Sequence, residues 1–122
     1  MVANVTSLTR SGLADFLVQR VSAVVMGAYT LCVLGFFYVT PDVDHVVLRD
    51  YFGSFAMQTF STLTILSTAA HAWIGLWTVG TDYIRPHYAG PHATAIRLTF
   101  QAGVMAILFF FVVFSLQLFW NL

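Results

Sequence analysis

Three long apolar runs, broken by two short polar segments, dominate the chain. They cover Phe16 to Val39, Met57 to Thr81 and Ala95 to Trp120. A hydrocarbon core of roughly 30 Å takes about 20 residues of helix, so each run is long enough to cross a membrane. No alternation of period two competes, and helices satisfy every backbone group within one segment at these lengths. The segment 40–56 carries Pro41, Asp42, Asp44, His45, Arg49 and Asp50, while 82–94 carries Pro86, Gly90 and Pro91. Both read as extramembrane loops. The pattern predicts an all-α integral membrane protein, a single three-span domain over residues 1–122. The polar start, "NVTSLTRSG", reads as an interfacial tail. The first run is too long for a signal-peptide core and lacks an A-x-A-like site, so it is expected to be retained.

Composition sharpens this picture. Of 122 residues, 59% are hydrophobic and 8% charged, against about 25% charged in soluble domains. Arginine and aspartate supply all the charges, five of each, so no net charge points to nucleic acid or to an acidic substrate. Arg10, Arg20, Arg85 and Arg97 flank one side of the predicted spans and Arg49 stands alone on the other. Positive flanks stay cytoplasmic. The N-terminus and the 82–94 loop are therefore predicted cytoplasmic, the 40–56 loop and the C-terminus external, with Trp120 in the outer aromatic belt. The lone cysteine, Cys32, excludes an internal disulfide and a CxxC motif.

Candidate chemistry sits on the second span. At about 100° per residue, Thr64, Ser67, His71, Gly75, Thr78 and Asp82 share one face. Leu66, Trp73, Leu76 and Trp77 occupy other sectors. Small and hydroxyl residues on such a stripe serve close helix packing, and Gly75 would leave room for a flat ligand beside His71. A histidine inside a span faces protein or a cavity. Its plain role is an interhelical hydrogen bond; its functional ones are axial ligation of haem iron or proton relay. His45, His87 and His92 all fall in loops, so a second axial ligand would have to come from another subunit. Arg20 either snorkels to the interface or pairs with a haem propionate. Asp82 and Tyr83 close the span about 16 Å from His71. They serve either as boundary residues or as a hydrogen-bonding pair at a lipophile pocket, for which a quinone fits.

The stretch "HAWIGLWTVGTDYIRP" at 71–86, with "SGLADFLVQRVSAV" at 11–24 and the pattern of Arg10, Gly12, Asp15 and Phe16, resembles the hydrophobic membrane anchor subunit of bacterial succinate dehydrogenase, the smaller anchor chain of respiratory complex II. The resemblance extends over the whole chain. It implies a bacterial inner-membrane subunit, non-catalytic alone, which assembles with a flavoprotein subunit, an iron-sulfur subunit and a second, cytochrome b anchor. His71 would be an axial ligand of haem b, with the second anchor supplying the other histidine. Tyr83 would hydrogen-bond a ubiquinone carbonyl, Asp82 would support that site, and Arg20 would lie near the propionates. Two features depart from relatives: Ala14 stands where some carry a histidine near a propionate, and "HYAGPHATA" at 87–95 makes a longer second loop. Two rivals stay open, a structural anchor without cofactor and a small proton-relay or transport subunit. For the relay, only Thr78 offers a polar step between His71 and Asp82.

Overall fold

A computed structural model of the chain describes residues 12–84, 87 and 90–122. Arg10, Arg85 and Pro86, which entered the topology and motif arguments, lie outside the described residues. Among the described residues the protein is all-α: α1 (Gly12–Val39), α2 (His45–Phe52), α3 (Phe55–Tyr83), a short 3-10 turn (Gly90–His92) and α4 (Ala93–Trp120).

Local signals explain the boundaries. Asp15 lies in the first turn of α1, where a carboxylate suits the helix dipole. The helix stops at Val39 because Pro41 disfavours helical geometry at Thr40. The segment 40–56 is not wholly loop. The Asp44 carboxylate caps α2 by accepting from the Val47 N–H at 2.8 Å, which satisfies one orphan amide of the first turn. Ser54 does the same for α3, accepting from Met57 N–H at 3.3 Å. Helix α3 then runs to Tyr83, so Asp82 and Tyr83 belong to its last turn rather than to a loop. Gly90, at φ 74°, turns the chain into α4.

Helix α3 is the spine, packed against α1 on one side and α4 on the other; no comparable interface joins α1 to α4 among the described residues. Towards α1, the Tyr29 hydroxyl lies 2.6 Å from Ser61 Oγ, and its ring meets Phe60 edge-on. Towards α4, Gln58 donates to the Phe119 carbonyl at 3.2 Å and Trp120 Nε1 donates to Thr62 Oγ1 at 2.7 Å. The two helices approach closely at Gly80, where an added Cβ would lie 3.3 Å from the Phe100 ring. Tyr51 stacks on Phe36 at 3.9 Å and ties α2 to the end of α1.

Few apolar side chains are buried: Met57, Ile65, Ile74 and Ala93. Ser22, Ser61 and Gln101 are buried with them, while Val24, Leu31, Ile107, Phe110 and Phe114 point outward. Lipid tails are as apolar as these side chains, so helices in a bilayer associate through close packing and hydrogen bonds instead of apolar burial. Helix α1 and the segment Gly90–Trp120 are long and apolar enough to cross a membrane. Helix α3, at 29 residues and about 44 Å, has the length but carries more hydroxyls. Those of Thr62, Thr64, Thr68 and Thr78 donate to carbonyls one turn back in the same helix.

Candidate functional site

His71 lies on the α1-facing side of α3. Its Nδ1 is 3.0 Å from Ser22 Oγ of α1, and Ser22 Oγ is also 3.1 Å from the Gln19 carbonyl. A hydroxyl has one proton. If Ser22 donates it to Gln19, Nδ1–H of His71 donates to Ser22 and both bonds form. If Ser22 donates to Nδ1 instead, the carbonyl contact is lost. The first arrangement is favoured by one neutral hydrogen bond, about 1 kcal/mol net, and it leaves Nε2 with its lone pair free. His71 has no other hydrogen-bond partner among the described residues.

The same ring borders a groove of about 480 Å³ between the amino-terminal half of α1 and the carboxy-terminal half of α3. Arg20, Gln19 and Ala23 line it from α1; Ile74 and Thr78 join His71 from α3. Helix α1 begins four residues before the expected span, placing Arg20 about two turns inside it. The guanidinium is exposed and sits over the Phe16 ring at 5.0 Å. His71 and Arg20, 51 positions apart in sequence, thus share one groove.

The donor set limits what this groove can hold. Among the described residues no group of three or more His, Cys, Asp or Glu side chains could ligate a metal ion. The groove also holds Asp15; an imidazole nitrogen beside a guanidinium suits a group that brings its own equatorial ligands and carries carboxylates, and haem is such a group. Gln19 Oε1, at the edge of the groove, is buried without a partner among the described residues.

Other expected members of the stripe fare differently. Thr64 and Thr78 bond their own helix. Gly75 does not line the His71 groove; the Gln19 amide lies beside it, 3.7 Å from where a Cβ would stand. The open volume lies instead beside Ile74 and Thr78. Ser67 lines a second, apolar groove with Leu17, Val21 and Ser22. Asp82 and Tyr83 are exposed at the end of α3 and do not line the His71 groove. Of the loop histidines, His45 opens α2 and His92 closes the 3-10 turn. Trp73 and Trp77 pack ring against ring at 4.7 Å, with both indole N–H groups buried and unpartnered.

Sequence periodicity missed Ser22, Gln19 and Gly80. Ser22 and Gln19 do share the α1 face of Arg20's turn, yet periodicity along one helix does not reveal which residue of a neighbour it meets.

Comparison with known proteins finds relatives of this chain. The chain is 30% identical over 112 residues to the succinate dehydrogenase hydrophobic membrane anchor subunit of Coxiella burnetii (strain RSA 493 / Nine Mile phase I), covering 92% of this chain and 91% of that protein. No family model matches.

Proposed function

Because the chain belongs to the family of succinate dehydrogenase hydrophobic membrane anchor subunits, we propose that it is the smaller anchor of a bacterial succinate:ubiquinone oxidoreductase. It spans the inner membrane three times, with α1, α3 and α4, and holds the iron-sulfur and flavoprotein subunits on the cytoplasmic side, where the N-terminus lies. The length of α3 and the bonding of Thr62, Thr64, Thr68 and Thr78 within the helix support the third span, since those four hydroxyl protons need nothing from lipid.

Within the bundle, His71 Nε2 is an axial ligand to haem b, and a histidine of the second anchor is the other. Arg20 pairs with a propionate. When bound, haem b supplies a one-electron reservoir between the cluster-bearing subunit and the membrane. Asp82 and Tyr83 lie at the same end of the bundle as the groove, because α1 and α3 run antiparallel through it. There the Tyr83 phenol donates to a ubiquinone carbonyl and Asp82 supports that site.

The observation that carries this reading is the shared groove, where an imidazole with a free Nε2 and an exposed guanidinium come together from different helices. The test is the visible spectrum of the purified complex carrying His71→Ala. Loss of the low-spin b-type bands is expected. An unchanged spectrum would overturn the assignment and favour the second reading, a cofactor-free structural anchor, which the Ser22–His71 bond also supports as an interhelical tie.

A further inference from the structure

We propose that Ser22 is a positioning residue for the haem iron: by accepting the Nδ1 proton of His71 it holds the imidazole in the tautomer that presents Nε2. The inference rests on the haem reading given above. The Ser22 hydroxyl lies 3.0 Å from His71 Nδ1 and spends its own proton on the Gln19 carbonyl at 3.1 Å, so it is left as an acceptor towards the ring. Ser22 is only 4% exposed, which keeps water from taking over that role. The two partners also sit on different helices. Ring orientation is therefore tied to the packing of α1 against α3, and not to the rotamer preference of α3 alone.

A ligating imidazole whose second nitrogen donates a hydrogen bond becomes a stronger donor to the metal. Stronger donation favours the ferric over the ferrous state, so Ser22 holds the haem potential down as well as aiming the ligand. Among the described residues no other hydroxyl on the stripe, Ser67 included, bonds the ring. Thr64 and Thr78, seven residues either side of His71, both bond carbonyls of their own helix.

The test uses the assembled complex carrying Ser22→Ala, Ser22→Cys or Ser22→Thr, with haem content after purification and the midpoint potential of the b-type bands as readouts. Alanine removes the acceptor and little volume. It should weaken haem retention by about 10- to 100-fold in affinity, as loss of an outer-shell partner does, and shift the potential upward. Threonine keeps the hydroxyl and should match the wild type on both readouts; cysteine, a weaker acceptor, should fall between. An unchanged potential and haem content in Ser22→Ala would overturn the proposal, and so would equal damage by alanine and threonine, which would mean packing. His71→Ala separates the two levels. If its b-type spectrum persists, the haem reading fails; if that spectrum is lost while Ser22→Ala behaves as wild type, only the role of Ser22 fails.

Discussion

Replacing Tyr83 by phenylalanine removes one oxygen from the last residue of α3 and nothing else. Tyr83 is 69% exposed, and its hydroxyl has no hydrogen-bond partner among the described residues. Its loss should therefore change the stability of this subunit by no more than about 0.5 kcal/mol, the usual range for exposed positions. A quinone carbonyl that depends on the phenol loses more. The bond itself contributes roughly 0.5 to 1.5 kcal/mol net, and an acceptor stranded away from water costs about 1 to 3. At about 1.4 kcal/mol per decade, ubiquinone reduction should fall by about tenfold or more. Succinate oxidation with a soluble artificial acceptor, which takes electrons upstream of the membrane, should stay near the wild-type rate. The two magnitudes differ enough for paired assays on one membrane preparation to separate them. Parallel loss of both activities would refute the reasoning by assigning Tyr83 to assembly. Loss of neither would leave it an interfacial tyrosine with the quinone bound elsewhere.

Three further outcomes are expected. A reporter fused after Leu122 should behave as external and one inserted at Gly90 as cytoplasmic; the reverse pattern would invert the topology and separate Tyr83 from the soluble subunits. Gly80→Leu should force α3 away from α4, because even a Cβ there meets the Phe100 ring at 3.3 Å. Overpacking of this kind costs about 1 to 3 kcal/mol, visible as lower recovery of assembled complex, with Gly80→Ala milder; normal recovery of the leucine variant would show that the seam is loose. Arg20→Gln should keep the low-spin bands but loosen haem by about 10- to 100-fold, as expected for a charged hydrogen bond of roughly 1.5 to 3 kcal/mol; unchanged haem retention would leave Arg20 a snorkelling residue.

Much of the helical frame was legible in hydropathy alone. The first and third runs end where α1 and α4 end, at Val39 and Trp120, because a proline and a polar terminus punctuate them. Helix starts were read two to four residues late: Asp15 and Thr94 interrupt the apolar runs of α1 and α4, and at α3 the capping Ser54 marked a start at Phe55 that the run taken from Met57 missed. Helix α2 escaped notice because its eight residues are amphipathic and charged; its signal was the capping Asp44. Within the site, His71 and Arg20 stood out because ionisable residues are rare in such runs. Ser22 did not, being one of many small polar residues whose importance comes only from the neighbour it meets. Gly75 shows the opposite case: a glycine marks a close approach without saying what comes near, here a glutamine amide.

The spine arrangement has a consequence in time as well as in space. Every described residue that lines the groove comes from α1 or α3, and α4 contributes none among them. A chain is made from its amino end, and adding residues 84–122 takes roughly 2 to 8 s at about 5 to 20 residues per second. Once the chain has left the ribosome as far as the end of α3, His71, Ser22 and Arg20 are on helices able to pair whether or not α4 has followed. The groove can therefore form before α4 has packed against α3.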